Sequence, residues 1–344
     1  MNILTRFKEK KWDKKAVSDL LLNNAIYVVI LLLVAVIIYM DSSFLRWQNF
    51  GFIVTQASTR VILALGVAGL LVLAGTDLSV GRMVGLAAVV SASLLQAPEY
   101  ARRIYPDMAQ LPIWVPILLV VIITGALSTL NGYVIAKFKV HAFIVTLGAQ
   151  LAIYGGASLY YDAVGASPIA GLDERFTKFA QGKIDLGIIQ VPHLVIYAAI
   201  TVAIVWFIWN KTKLGKNMFA VGGNEEAAIV SGVSVMKTFI LVSLLAGILY
   251  GFAGALEVAR TGSATNNLGN GYELDAIAAC VVGGVSFNGG VGTIAGIVTG
   301  VFMFQVINYG LAYVNISPYI QYIIKGLIIV IAVAIDTRKY IKKK

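Results

Sequence analysis

The feature that most restricts this chain is its set of continuous apolar runs. Val28 to Met40 is one, and Ile320 to Ile335 is nearly as unbroken. A helix on a soluble domain keeps a polar face, and a barrel strand alternates polar with apolar. Runs that do neither suit helices surrounded by lipid. Charged residues make up 13% of the 344-residue chain, whereas soluble domains carry about 25%. The expected fold is an all-α polytopic membrane protein.

About ten membrane helices are predicted: Ala25 to Met40, Phe50 to Ala74, Gly81 to Gln96, Ile113 to Ala136, Ala142 to Tyr161, Leu194 to Trp209, Thr238 to Val258, Leu274 to Gly284, Gly292 to Ala312 and Tyr319 to Ile335. A full crossing needs about 20 residues. The eighth segment falls short and reads as a broken or re-entrant element buried in protein. The first run lacks a small-x-small cleavage site before Tyr39-Met40-Asp41 and is expected to stay as a helix.

Cations set the orientation. Six Lys/Arg precede the first run and five lie in the tail from Arg338. With both termini inside, Arg82, Lys137, Lys139 and the cations of Lys211 to Lys237 also fall inside, giving 18 inside against 7 outside. This is the positive-inside pattern. The domain reading is a basic cytoplasmic segment 1–24, one permease domain 25–335 with a cytoplasmic loop 211–237, and a basic tail 336–344. The net charge of +10 is therefore assigned to membrane orientation rather than to nucleic acid.

The 211–237 loop has its own structure in outline. Asn224 suits a helix N-cap, and Glu225 and Glu226 then favour the first turn of the helix dipole. Ala227 and Ala228 keep the helix slim, Ser231 lies at its end, and Gly232 can close it left-handed. Two turns alone in water are unstable, so the helix needs support. A docking surface for a partner and a connector lying on the membrane both fit the residues.

Much chemistry is excluded. Lys213-Leu-Gly-Lys-Asn217 is no phosphate loop, because Asn follows Gly-Lys and Asn210 holds the place of the first Gly. Gly289-Gly-Val-Gly-Thr293 has no Lys. The chain is read as no enzyme, with no cofactor. His141 and His193 stand alone, so no metal site is expected. The one cysteine, Cys280, reads as a small buried hydrophobe. Glycines at helical spacing, such as Gly81/Gly85, Gly247/Gly251 and Gly292/Gly296/Gly300, read as close-packing faces.

Polar residues in or near the spans are Gln56, Asn131, Thr146, Gln150, Gln305 and Asn308. Amides match the hydroxyls of a sugar as donors and acceptors. Asn131, Gln305, Asn308 and Asp77 are the expected lining of a translocation pathway, and helix stitching is the alternative. Charged residues near spans are Arg60, Asp77, Glu257, Glu273, Asp275 and Lys325, which are functional candidates by position. A proton-coupled carrier would hold a carboxylate at mid-span, and none is clearly placed there.

Three motifs carry a resemblance: Thr76-Asp-Leu-Ser-Val-Gly81, Gly215 to Gly232, and Gly283-Gly-Val-Ser-Phe-Asn-Gly-Gly290 continuing to Thr293. Over nearly its whole length the chain resembles the permease subunit of bacterial ABC sugar importers of the ribose, xylose and galactose group. The segments Tyr161 to Pro168, Gly262 to Leu268 and Tyr272 to Val282 make it most similar to the galactose/methyl-galactoside branch. Arg82 departs from the Ser of many relatives, and Thr76 from their Ile. The resemblance implies a type II-like permease in the bacterial inner membrane that works as a homodimer. A separate ATPase would hydrolyse ATP, and an external sugar-binding protein would deliver the monosaccharide. Gly223, Asn224, Glu225, Glu226, Ala227, Ala228, Ser231 and Gly232 would form the coupling helix. The other readings are an ion-gradient sugar carrier, or an ABC permease for ribose or xylose.

Overall fold

The computed structural model describes residues 25–341 except 186, 188 and 189. The basic segment 1–24 and residues 342–344 lie outside the described residues. All ten predicted segments are helical: α1 (Ala25–Met40), α2 (Trp47–Val72), α3 (Val80–Leu94), α4 (Trp114–Phe138), α5 (Ala142–Ala163), α7 (His193–Lys211), α10 (Val235–Thr261), α11 (Tyr272–Val282), α12 (Ile294–Tyr313) and α13 (Pro318–Ile341). Among the described residues, α2, α4, α5, α7, α10 and α12 are long and apolar enough to cross a membrane.

Three helices and one hairpin were not foreseen or only partly so. They are α6 (Glu174–Gln181), α8 (Lys213–Gly223), α9 (Glu225–Val230) and the antiparallel pair β1 (Lys183–Asp185) and β2 (Gln190–Pro192). The sequence predicted one short helix between Lys211 and Lys237, and the structure has two. Glycines 215, 222 and 223 hide α8 as a loop signal. Its Met218 and Val221, spaced for one helix face, are 2% and 5% exposed, so tertiary burial outweighs the glycine penalty.

The described residues form two compact units, 25–46 with 306–341 and 47–305. In the smaller one, Phe44 lies edge-on to Tyr313, and Ser43 Oγ hydrogen-bonds the Tyr313 hydroxyl at 2.5 Å. The larger unit is built around α10, which packs on α4, α2 and α3. Glycines allow these approaches. A Cβ at Gly247 would lie 2.4 Å from the Thr124 carbonyl oxygen, and one at Gly254 2.8 Å from that of Val84. Close backbone approach is the expected use of small residues between membrane helices. Cys280 is fully buried, its thiol 3.4 Å from the Ala64 carbonyl.

At the Thr261 end of α10, three connections are stitched together by backbone hydrogen bonds. Ile169 and Ala264 exchange bonds of 2.9 and 3.0 Å, and Asp173 donates to Leu95 at 2.8 Å. The loop carrying α8 and α9 leads into the opposite end of α10.

Candidate functional site

The interior polar site begins where the helical chain breaks. The residues from Leu73 to Ser79 lie between α2 and α3 and outside both helices. Two of their polar backbone groups are satisfied by side chains: Thr146 Oγ1 donates to the Thr76 carbonyl at 3.0 Å, and Asp77 Oδ1 accepts from the Ser79 N–H at 2.9 Å. Such pairing is obligatory for buried backbone. Asp77 is 1% exposed and also accepts from Ser79 Oγ at 2.5 Å. Asn131 Nδ2 reaches the same Ser79 hydroxyl at 3.3 Å.

Two predicted pathway residues, Asp77 and Asn131, are thus joined through Ser79, which sequence reasoning missed. They line a narrow pocket with Ser128, Thr146 and Ser243. Ser128 Oγ is buried there with no hydrogen-bond partner among the described residues. Gln305 is placed elsewhere. It is 6% exposed and its Nε2 donates to Gln56 Oε1 at 2.9 Å, stitching α12 to α2. Asn308 follows three residues later on α12, in the smaller unit.

A buried charge cluster lies further along α2. Glu257 on α10, 2% exposed, accepts from Thr59 at 2.8 Å, from Arg260 at 2.9 and 3.2 Å, and from the Tyr272 hydroxyl at 3.0 Å. Arg60 is 3.6 Å from the carboxylate, and its guanidinium stands 3.1 Å over the Tyr272 ring. Arg60 and Glu257 were functional candidates by position. Two arginines fold inward onto the one carboxylate, because a buried carboxylate demands partners.

Arg82, which the charge count places among the inside cations, lies against the segment that follows the Thr261 end of α10. Its Nη2 donates to Asn270 Oδ1 at 2.7 Å, and its guanidinium lies 4.1 Å from the centre of the Tyr154 ring.

The 211–237 loop presents the second candidate site. Asn224 Oδ1 accepts from the Ala227 N–H at 2.9 Å, the expected N-cap. Glu225 and Glu226 occupy the first turn. At the other end Val233 donates to Ala228 at 2.9 Å and Gly232 to Ile229 at 2.9 Å. Gly232 has φ +80°, so both ends are closed, the second by a Schellman motif. Ser231 donates from its hydroxyl to Ala227 at 2.8 Å. Only Ala228 of α9 is buried, while Ile229 and Val230 are 52% and 89% exposed. Gly223, the last residue of α8, faces open space. Among the described residues no cluster of His, Cys, Asp and Glu is arranged to hold a metal ion.

Comparison with known proteins agrees with this architecture. The chain is 57% identical to the galactose/methyl galactoside import permease protein MglC of Haemophilus influenzae over 332 residues, 96% of this chain and 99% of that protein. It is 56% identical to the Escherichia coli protein of that name, with the same coverage. The ribose import permease protein RbsC of Escherichia coli is 34% identical over 323 residues, 93% of this chain and 95% of the relative. No solved structure matches the chain. Residues 49–333 match the family model described as branched-chain amino acid transport system / permease component. With a match that spans most of its length and relatives this similar, the chain belongs to that permease family.

Proposed function

We propose that this chain is the transmembrane permease subunit of an ATP-driven importer for galactose and methyl galactoside in the bacterial inner membrane. Two copies form the pathway, a cytoplasmic ATPase drives it, and an external binding protein delivers the sugar. Both termini lie in the cytoplasm, which puts loop 211–237 on the ATPase side.

The observation that carries this reading is α9. It is a six-residue helix closed at both ends, seated on the fold by Ala228 and offering Ile229 and Val230 outward. A helix this short is not stable by itself. Capped apolar residues held away from the fold are suited to an apolar socket on another chain. Gly223, Asn224, Glu225, Glu226, Ala227, Ala228, Ser231 and Gly232 form this coupling element. Asp77 and Asn131 line the sugar pathway at the start of α3, where Ser79 joins them.

Reconstitution tests the reading. Purified chain, ATPase and binding protein in liposomes take up galactose only with ATP, and the ATPase co-purifies in mild detergent. Galactose uptake by this chain alone, driven by a proton or sodium gradient without ATP, overturns it.

A further inference from the structure

Glycines 81 and 85 on α3 bring a loop and a helix start against its first turns. A Cβ at Gly81 would lie 2.2 Å from both the Gly269 carbonyl oxygen and Glu273 Oε2, and one at Gly85 2.5 Å from the Leu268 carbonyl oxygen. Gly269 and Gly271, at φ +87° and +79°, turn the chain so that α11 starts beside α3. The first turns of two short helices therefore meet, the arrangement in which broken membrane helices present ligand sites.

One polar atom on each of two charged side chains is left open at this meeting point. Glu273 is 7% exposed, and its Oε2 is buried with no hydrogen-bond partner among the described residues. Arg82 Nη1 is likewise buried without a partner. Glu273 Oε2 lies against Gly81, the residue before Arg82, yet among the described residues no ion pair closes between the two side chains. Arg82 is held off by Tyr154 under its guanidinium and by Asn270 on its Nη2. On the rim, Asn266 Nδ2 bonds Ser158 Oγ at 3.3 Å and Asn270 is exposed.

A guanidinium N–H can only donate and a carboxylate oxygen can only accept. A hydroxyl is a group that can accept from one and donate to the other. We infer that Arg82, Glu273 and Asn270, with Tyr154 as the prop that positions Arg82, form a subsite for the hydroxyls of a neutral polyol. Resting on the importer reading above, that ligand is a hexose in passage. Neighbouring hydroxyls satisfy both open atoms at once, whereas an anion meets Glu273 and a cation meets Arg82. The subsite is distinct from the pocket of Asp77 and Asn131.

The test uses the assembled transporter with its ATPase and binding protein, and galactose as the probe. Glu273→Gln and Arg82→Gln are expected to slow maximal uptake by about ten- to a hundredfold, the fold-change of a lost hydrogen bond to a charged group. ATPase co-purification, basal ATP hydrolysis and the KM set by the binding protein stay at the wild-type level. Arg82→Lys restores part of the rate, and Asn270→Ala slows uptake by about severalfold through its hold on Arg82. Assembled variants that import galactose within about twofold of wild type overturn the subsite. So does uptake that falls only in step with lost assembly. If the buried variants fail to assemble, the exposed Asn270→Ala decides: unchanged uptake overturns the subsite. Failure of the wild type itself to import galactose with ATP overturns the importer reading instead, so the two outcomes are separable.

Discussion

Gly290 donates its backbone N–H to the Val72 carbonyl at 2.8 Å, and Gly222 lies against that same carbonyl oxygen, 1.7 Å from where its Cβ would be. Three backbones meet there with no side chain between them: the end of α2, the loop before α12, and the end of α8. Gly223, the first residue of the coupling element, is the next position, and Asn224 follows it.

Gly222→Ala therefore has to push these backbones apart, at a cost of about 1–3 kcal/mol. Gly223→Ala meets open space and removes a helical glycine, worth up to about 1 kcal/mol in its favour. The expected outcome is that Gly222→Ala loses ATP-driven uptake and melts earlier, while Gly223→Ala matches wild type. Paired uptake and thermal melting measurements on the two neighbours check this, because helix propensity changes equally in both.

Loss of the cap on α9 is expected to weaken ATPase docking. Asn224→Ala removes the Oδ1 that accepts from Ala227, a loss of about 1 kcal/mol. That is roughly a fivefold weaker complex if the helix must form to dock. Asn224→Asp keeps the acceptor and is expected to dock like wild type. Titration of the purified ATPase against each variant reads the difference.

The Glu257 cluster predicts an asymmetry between its members. Glu257→Leu leaves Arg60 and Arg260 partly buried without their carboxylate, and breaking such a set costs about 3–5 kcal/mol. Removing Arg60 as well, in Arg60→Met with Glu257→Leu, is expected to recover part of that loss. Denaturation of the single and double variants in one detergent measures the coupling. Additive losses count against a buried ion network.

Asp173 gives the extramembrane connections a dependence on pH. Hydrogen bonds from Arg175, including Nη2 at 2.6 Å, hold its carboxyl below the ordinary carboxylate range, and Gln110 adds another at 2.7 Å. A depressed folded value means the contribution is complete above the unfolded value of about 3.9 and is lost as pH falls through the folded one. Protection of the 96–111 connection from proteolysis is expected to drop in that acid window. Asp173→Asn is expected to show the reduced protection already at neutral pH.

The membrane helices were legible because apolar runs identify them without tertiary information, and each predicted segment is helical within a few residues. Both caps of α9 were legible too, since Asn224 and Gly232 act through local backbone geometry. Helix α8 was hidden by its glycines: Gly222 is needed for contact with Val72, far away in sequence, and Gly215 for the tight turn against Trp209 at the end of α7. The pairing of Asp77 with Asn131 needs Ser79 between them, 52 residues from Asn131. The contacts of Arg82 with Asn270 and Tyr154 were not legible, because a charge count cannot see that the chain before it dips inward.

That dip has a consequence for motion. The non-helical stretch from Leu73 to Ser79 carries peptide groups that hydrocarbon cannot solvate. Thr146 on α5 and Asp77 satisfy two of them. In a bilayer this stretch has to keep its protein cover in every state of a working cycle. Whatever rearranges around it, the strap at Thr76 and the part of α5 that holds it travel as one piece.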